Sequence, residues 1–311
     1  MEALAPADLR DALALTPVTE RPGLYRGGLD HSWSFVLPSG GVLTSLALAA
    51  MRLELTRRGV SDLVPVAATA TFCSAIAEGP LDIEVVVLRA GRTASQLRAH
   101  LRPRGQLAAP GDVGLEVTAT FVLPRDLEGV TDTDFIPFPH DVPPPEACET
   151  YDPAKSGVVP PNFYKNLIVQ KALGDVWWSK TWAPGEPRVA RYYRYHIAPA
   201  LPDGRLDPLA LPPIADTMAS AVHQAVGSKR PPMLFPSLDL TLHFVAPLAG
   251  QADHPERPER PELPSPPILV DARATAIFSS SASATANVWQ GKRLLMTASQ
   301  TMTLRYFKPR A

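Results

Sequence analysis

The chain has 311 residues, of which 45% are hydrophobic and 20% are charged, and its formal net charge is −1. This length and composition provide for one large hydrophobic core or two of ordinary size. A charge so close to zero gives no general attraction to nucleic acid or to anionic membranes, so neither is expected as a partner.

The two cysteines and the first residues bear on the compartment. Cys73 and Cys148 are too few for a disulfide framework and lack the spacing of a zinc site, so we expect free thiols, no metal and no cofactor. The stretch MEALAPADLRDALALTPVTERPG carries acidic residues early and lacks the basic and apolar regions of a secretory signal. Both observations favour a cytoplasmic protein.

A glycine pair, Gly40 and Gly41, stands directly before the apolar run VLTSLALAAM. This run is only about half of the roughly 20 residues that a membrane span needs. It contains no lysine up to Arg52, so it is not a phosphate-binding loop of the GxxxxGK[ST] type. The pattern therefore predicts a helix that begins at the glycine pair and is buried on most sides.

Four segments rich in β-branched residues follow this helix, with turn residues at their ends: 64–72, 81–90, 93–103 and 113–123. A buried helix followed by consecutive antiparallel strands is the order of a hotdog fold, in which a curled sheet wraps around a central helix. On the first half alone, a generic α+β domain fits equally well.

The second half repeats the pattern of the first. Aligning GGVLTSLALAAM (40–51) with PPIADTMASAVH (212–223) gives an offset of 172 (216 − 44), and the same offset aligns ATATF (68–72) with LTLHF (240–244). Further along, VTATF (117–121) resembles MTASQ, with the offset widened to 179 (300 − 121). Two segments in one register indicate an internal duplication.

Two irregular tracts complete the organisation. Residues 131–162 are rich in proline and are interpreted as an extended linker between domains at 1–130 and 163–311. Residues 249–267 alternate Pro, Glu and Arg, which predicts a mobile surface loop, with a partner-docking segment as the alternative. The string VARYYRYHI (189–197) alternates aromatic and basic residues and is predicted to be the first strand of the second copy.

Several strings together resemble a known family. PPIADTMASAVHQAV, PSLDLTLHF and RLLMTASQTMTLR follow one another in the second half, and IEVVVLRAGRTASQLRAHL lies in the first. In order and spacing they resemble the double-hotdog acyl-CoA thioesterases of the thioesterase II type, over most of the chain. The resemblance implies an α+β double hotdog, with two curled antiparallel sheets joined side by side and each wrapped around a central helix. It also implies hydrolysis of an acyl-CoA or another acyl thioester.

The resemblance implies three catalytic positions: Asp216 in IADTM, Ser237 in PSLDL and Gln300 in TASQT. Hydrolysis without a covalent intermediate needs a carboxylate that takes a proton from water, and hydrogen-bonding groups that hold this water. Asp216 would be the base, while Ser237 and Gln300 would aim the water. Backbone N–H groups at a helix N-terminus can stabilise an oxyanion, so Gly40 and Gly41 are candidate substrate contacts.

Each position also has a structural interpretation. Asp216 could be a helix cap or a surface carboxylate, although its apolar neighbours favour a functional role. Ser237 could simply begin a strand, and Gln300 could point outward from an alternating strand. Asp239, in the same SLD motif, either orients strands or faces solvent.

The repeat alignment gives Thr44, Pro65 and Phe121 as the first-half counterparts of the three candidate residues. None of them can serve as a carboxylate base or as a water-orienting amide. The first copy is therefore expected to be chemically silent, and the chain to carry one site built from its second copy.

Some positions depart from the family pattern. Many relatives read Ser-Leu-Asp-His and then Phe-His-Arg-Pro, whereas this chain has Leu240 and then Phe244-Val245-Ala246-Pro247. The acyl group and its carrier stay open, as do two other functions: a hotdog dehydratase or cyclase that uses Asp216 without water attack, and a non-catalytic binder of acyl chains. Because one chain already holds two copies, both a monomer and a homo-oligomer are open.

Overall fold

The computed structural model describes residues 5–105, 113–125, 135–175, 178–179, 181–228, 233–245 and 266–306. Most of the predicted surface loop at 249–267, and residues 131–134 of the predicted linker, lie outside these ranges. Within them, no helix has the length and apolar character needed to cross a membrane.

The helical segments are short, with one exception. They are α1 (Leu9–Ala12), α2 (Gly40–Arg57), α3 (Pro153–Ser156), α4 (Asn162–Lys165), α5 (Leu211–Ala215) and α6 (Ser220–Val226). Turns of 3₁₀ helix lie at His31–Trp33, Pro145–Ala147, Pro208–Ala210 and Asp216–Ala219.

The strands make up most of the regular structure. They are β1 (Thr16–Pro17), β2 (Leu24–Leu29), β3 (Val64–Phe72), β4 (Gly79–Arg89), β5 (Ala94–Pro103), β6 (Leu115–Val122), β7 (Glu149–Thr150), β8 (Leu167–Leu173), β9 (Arg188–Tyr195), β10 (Met233–Leu234), β11 (Asp239–Phe244), β12 (Ile268–Phe278), β13 (Ser281–Gln290), β14 (Arg293–Thr303) and β15 (Arg305–Tyr306). Thirteen of them form one sheet in the order β1-β2-β4-β5-β6-β3-β11-β14-β13-β12-β9-β8-β7. The sequence predicted two sheets joined side by side; in the structure their strands belong to one continuous sheet.

The strand order is the same on both sides of the central pair of strands. Outward from β3 lie β6, β5, β4 and β2, and outward from β11 lie β14, β13, β12 and β9. At the centre, Thr69 pairs with Thr241 and their hydroxyl oxygens are 3.3 Å apart. These two residues are 172 positions apart, which is the offset of the sequence repeat. Each threonine therefore faces its own counterpart across the junction.

Helix α2 is the predicted buried helix, and it begins at the glycine pair and extends past the apolar run to Arg57. Ser39 caps it by accepting a hydrogen bond from the Val42 N–H. It is buried on nearly every face because β4, β5, β6 and α5 pack around it. The hydroxyls of Thr44 and Ser45 are satisfied within this core, since they donate to the carbonyls of Gly40 and Leu209.

The central helix that the resemblance implies for the second half is not continuous in the structure. Its helical stretch is divided into α5, a 3₁₀ turn and α6. The turn contains Thr217, whose hydroxyl donates to the Ile214 carbonyl at 2.7 Å and also lies 2.9 Å from the Tyr193 hydroxyl. Side-chain bonding of this kind competes with regular helix, which accounts for the tighter turn at this point.

The described part of the predicted linker covers the outer face of the second half. Phe138, Val142 and Cys148 contact an apolar cluster on the far side of the sheet. The members of this cluster on the strands are Ala190, Tyr192, Leu269, Trp289 and Leu294. The first strand of this half, predicted at 189–197, is the second in the structure, because β8 precedes β9 and pairs with it.

Glu54 ties the far end of α2 to the sheet. It is 1% exposed and accepts a hydrogen bond of 2.8 Å from the Tyr25 hydroxyl on β2. Arg57 and Arg58 donate to the same carboxylate at 2.6–2.8 Å. The hydrogen bonds from Arg57, then those from Arg58 and Tyr25, lower the pKa of Glu54 to about 2 against the opposing effect of burial.

Replacing Glu54 with Gln should remove a pH-dependent part of the stability. Because the folded-state pKa lies below the ordinary value of 4.5, ionised Glu54 stabilises the fold above about pH 4.5, and this contribution is lost as the pH falls through 2. Urea unfolding at neutral pH should show Glu54→Gln to be less stable by about 1–3 kcal/mol. The difference should shrink towards pH 2, whereas the exposed control Glu20→Gln should stay close to the parent at each pH. An equal deficit of Glu54→Gln at every pH would contradict this role.

Candidate active site

Asp216 lies where the two halves meet. It directly follows α5, and its carboxylate faces the N-terminus of α2 from the first half. The Gly41 N–H donates to Oδ2 at 3.0 Å, and the Ser39 hydroxyl donates to the same oxygen at 3.2 Å. The positive end of the α2 dipole therefore faces this carboxylate.

The close crossing of α2 and α5 depends on the glycine pair. A Cβ on Gly41 would lie 2.4 Å from the Pro212 carbonyl oxygen and 2.6 Å from the Cα of Pro213. A Cβ on Gly40 would lie 2.7 Å from the ring of Phe72. The N–H of Gly41 is engaged by Asp216, so it is not available to a substrate oxyanion. Gly40 lines the cavity beside Asp216, and its contact with substrate stays a prediction.

Gln300 links the other two residues that the sequence singled out, Asp216 and Ser237. It lies on β14, is 2% exposed, and its Nε2 donates to Asp216 Oδ1 and to Ser237 Oγ, both at 2.7 Å. A carboxylate only accepts hydrogen bonds, so the amide nitrogen must face Asp216 and the amide orientation is fixed. Ser237 Oγ accepts from this amide, which leaves its own hydrogen for a group in the cavity.

The environment of Asp216 makes its carboxylate more basic than that of an exposed aspartate. Burial raises its pKa, and this effect exceeds the opposing effect of hydrogen bonds from Gly41, Gln300 and Ser39. A carboxylate with a raised pKa and a fixed orientation is suited to accept a proton.

A cavity of about 820 Å³ opens onto Asp216 and Ser237. Its walls come from both halves and are mainly apolar, with Phe35, Leu43, Phe72, Ile76, Phe235 and Leu238 among the lining residues. Cavities of this size and character are typical of small-molecule sites. The arrangement places one carboxylate and one free hydroxyl hydrogen at the wall of an apolar cavity.

Neighbouring residues of the SLD motif have structural roles. Asp239 Oδ1 accepts a hydrogen bond of 2.8 Å from the Thr301 N–H, so it ties β11 to β14 and orients these strands. Leu240, the next residue, is fully buried in the core. Ser39 was missed by the sequence analysis, although a serine directly before a helix start is a recognisable N-cap signal.

The pairing of strands corrects one position of the repeat alignment. Ser299 pairs with Thr241 on β11, and Thr118 pairs with its counterpart Thr69 on β3. Ser299 therefore corresponds to Thr118, and Gln300 to Ala119, an offset of 181 (300 − 119). The predicted counterpart of Gln300, Phe121, was wrong by two positions because short apolar matches do not fix register.

The remaining counterparts lack equivalent groups. Under the offset of 172, Thr44 stands in the place of Asp216, and its hydroxyl donates to the carbonyl of Gly40. Pro213 stands in the place of Gly41 (213 − 41 = 172), and proline has no N–H to donate. The residues that surround Asp216 are thus not repeated on the first-half side.

No group of three or more His, Cys, Asp or Glu side chains suited to a metal ion occurs in the described part of the chain. Cys73 and Cys148 are free thiols, as the sequence predicted.

Comparison with known proteins gives a family and a fold. Residues 29–122 match the family model of the acyl-CoA thioesterase N-terminal domain, and residues 145–304 match that of the C-terminal domain. No curated protein matches the chain in sequence. A hotdog-fold protein of unknown function from Alicyclobacillus acidocaldarius superposes with a TM-score of 0.71 at 21% identity, covering 96% of this chain and 98% of that one. For the acyl-CoA thioesterase II of Mycobacterium marinum the TM-score is 0.65 at 18% identity, with coverages of 97% and 99%. These likenesses show the hotdog fold.

Substituting Gly41 with Ala tests the helix crossing. The added methyl group would meet the backbone of Pro212 and Pro213, which cannot turn away, so the helices must separate. We expect a loss of about 1–3 kcal/mol in the free energy of unfolding, measured by urea denaturation. Gly40→Ala is the matched comparison, because its methyl group would clash with the ring of Phe72, which can rotate, while Asp216 Oδ2 at 3.4 Å is at ordinary contact distance. Equal stability of Gly41→Ala and the parent protein would show that the crossing does not need glycine.

Proposed function

Because this chain belongs to the acyl-CoA thioesterase family and is a thioester hydrolase, we propose that Asp216 activates the water that cleaves its substrate. One observation carries this proposal: at the wall of the apolar cavity, Gln300 connects the Asp216 carboxylate with the Ser237 hydroxyl at 2.7 Å on each side. A protein that only bound acyl chains would have no need for such a network in an apolar wall.

The proposed reaction needs only acid–base chemistry. The acyl chain occupies the cavity, and the thioester carbonyl lies beside Asp216. Asp216 takes a proton from water while the water oxygen forms a bond to the carbonyl carbon. The tetrahedral intermediate then collapses, the C–S bond breaks, and the departing thiolate takes the proton from Asp216. The products are a carboxylic acid and a free thiol.

We assign different supporting roles to Ser237 and Gln300. Ser237 lines the cavity and has a hydroxyl hydrogen to offer, so it is assigned to hold the water or the carbonyl. Both bonds of the Gln300 nitrogen go to Asp216 and Ser237, and its Oε1 has no partner among the described residues. Gln300 is therefore assigned as a positioning residue that fixes the other two side chains.

We also propose that the chain is a double hotdog, with an N-terminal domain at 1–130, a linker at 131–162 and a C-terminal domain at 163–311. The matching strand order about the central pair and the pairing of Thr69 with Thr241 support this division. Thr44 and Ala119 stand at the positions equivalent to Asp216 and Gln300, and they carry neither a carboxylate nor an amide. This supports a chemically silent first copy. The site is nevertheless composite, since Ser39 and Gly41 of the first copy hold Asp216.

Replacing Asp216 with Asn should remove the base and keep the fold. Rotation of the Gln300 amide by half a turn would present its oxygen to the new side-chain amide, so the network can stay satisfied. We expect turnover of the best acyl-CoA substrate to fall by about 10²–10⁴-fold, measured as release of free thiol. Ser237→Ala and Gln300→Ala should each cost less, and their effects should not add to that of Asp216→Asn, because the three side chains act as a unit.

Thr44→Val is the matched control for this experiment, because Thr44 stands at the equivalent position of the first copy. It should retain nearly full turnover. If folded Asp216→Asn hydrolyses acyl-CoA at the parent rate, water activation by Asp216 is wrong. If neither the parent nor any variant releases thiol, a dehydratase, a cyclase or a binding protein replaces the hydrolase.

The pH profile provides a second measurement. Asp216 must be ionised to accept a proton, so kcat/KM should fall as the pH drops below its pKa, which burial raises above the ordinary 3.8. The Ser39 hydroxyl stabilises the ionised form, so Ser39→Ala should move the acid limb to higher pH. Ser45→Ala removes a buried hydroxyl from the same helix, one bonded to the Leu209 carbonyl, and should leave the limb in place. An unmoved limb in Ser39→Ala would exclude Asp216 as the titrating base.

A further inference from the structure

Arg191 is a buried cation in the wall of the same cavity. It lies on β9, on the inner face that it shares with Val189 and Tyr193, and its exposed fraction is 4%. It lines the cavity onto which Asp216 opens. Arginine is almost never buried to this degree without a partner, because removing its charge from water costs several kcal/mol.

The partners of Arg191 do not neutralise it. Its Nη2 donates to the backbone carbonyl of Asp175 at 3.1 Å, and the phenol of Tyr164 lies close enough for the charge of Arg191 to affect its pKa. Its Nε has no hydrogen-bond partner, and no carboxylate in the described part of the chain lies within 4.0 Å of the guanidinium. The carboxylate of Asp175 instead lies 3.9 Å from Lys171 Nζ.

Other titratable groups of the cavity wall leave this charge in place. Burial raises the pKa of Tyr164, so its phenol stays neutral. Burial lowers the pKa of His223 to about 4, so this imidazole is neutral at physiological pH. Asp216 is held by the N-terminus of α2 and by Gln300. Arg305, at the exposed end of the cavity, adds a second positive charge.

The first half of the chain shows a satisfied version of this position. Tyr25 on β2 pairs with Ile83 on β4, and Arg191 on β9 pairs with Val270 on β12. The two pairs occupy equivalent positions in the two halves of the sheet. The Tyr25 hydroxyl donates to the buried carboxylate of Glu54 at 2.8 Å. A polar group at this place on the inner face thus has a carboxylate partner in one half. In the other half, the described residues supply none.

We propose that Arg191 binds a carboxylate carried by the acyl group of the substrate, so that the preferred substrates are carboxyacyl thioesters rather than unsubstituted fatty acyl thioesters. This proposal rests on the proposed function, since it assumes that the thioester lies at Asp216. The guanidinium of Arg191 belongs to a residue of the cavity wall, and a planar guanidinium matches a carboxylate in geometry and in charge. The carboxylate would also neutralise the buried cation when the substrate enters.

The kinetic test compares substrates that differ only at the end of the acyl chain. Unbranched acyl-CoAs of four to ten carbons and their ω-carboxy analogues are hydrolysed by the parent protein and by Arg191→Met. All of these substrates carry the same coenzyme A. If Arg191 acted on the coenzyme A phosphates, its replacement would therefore change kcat/KM equally for both members of a pair. At the chain length that spans Asp216 and Arg191, we expect the parent to favour the carboxylated substrate. Arg191→Met should lower kcat/KM for that substrate by about 10²-fold and leave the unsubstituted partner nearly unchanged.

A binding test separates this inference from the hydrolytic mechanism. The monoamides of the same dicarboxylic acids are titrated calorimetrically against the corresponding unsubstituted amides, which requires no turnover. The carboxylated amide should bind the parent and Asp216→Asn more tightly, and lose this advantage in Arg191→Met. This result without hydrolysis would refute the proposed function alone, whereas hydrolysis without any preference for the carboxylated series would refute the role of Arg191 alone.

Thermal unfolding distinguishes a binding role from a structural one. Removing a buried cation without a counter-charge should leave the Tm of Arg191→Met unchanged or higher. Arg191→Lys keeps the charge but not the planar group, and should retain part of the preference. A lower Tm together with equal losses on both substrate series would show that Arg191 only supports the fold, and would overturn the proposal.

Discussion

The organisation of this molecule depends on one close crossing, where the N-terminus of α2 meets α5. The contact at Gly41 is so tight that no side chain fits against Pro212 and Pro213. This closeness brings a backbone N–H of the first half within hydrogen-bond distance of the Asp216 carboxylate in the second. A desolvated carboxylate would otherwise be costly in an apolar wall. The packing of the two halves and the ionisation of the candidate base thus depend on the same contact.

The contact lies at the centre of an approximate twofold arrangement whose two sides carry different chemistry. Thr69 and Thr241 face each other in the sheet, and Gly41 lies against its own counterpart, Pro213. In the second half, a carboxylate, an amide and a hydroxyl are connected by hydrogen bonds. In the first half, threonine, alanine and proline occupy the equivalent positions. The buried Arg191 lines the same cavity as Asp216. Its position in the sheet holds a tyrosine bonded to a carboxylate in the first half, and in the second half an arginine that has no carboxylate partner among the described residues.

Much of this could be predicted from the sequence. The buried helix, its first-half strands and the offset of 172 are local patterns of hydrophobicity, and local patterns survive in a single sequence. The family resemblance pointed to Asp216, Ser237 and Gln300, and in the structure Gln300 is hydrogen-bonded to each of the other two. What could not be predicted depends on contacts between distant segments: the hydrogen bond from Ser39 to Asp216, the counterpart of Gln300 at Ala119, and the surroundings of Arg191. Nothing in RVARYYRY reveals which of its arginines is without a carboxylate partner among the residues that the structure describes.

The junction at Thr69 and Thr241 has a consequence for how such a chain can diversify. In an assembly of two identical subunits, every substitution appears on both sides of the axis, so a residue that suits one crossing helix must also suit the other. Glycine could then not be opposed by proline, and a carboxylate could not be opposed by threonine. When both copies lie on one polypeptide, each position varies alone. One copy can then become a rigid support, as proline at position 213 illustrates, while the other accumulates the groups that select a substrate.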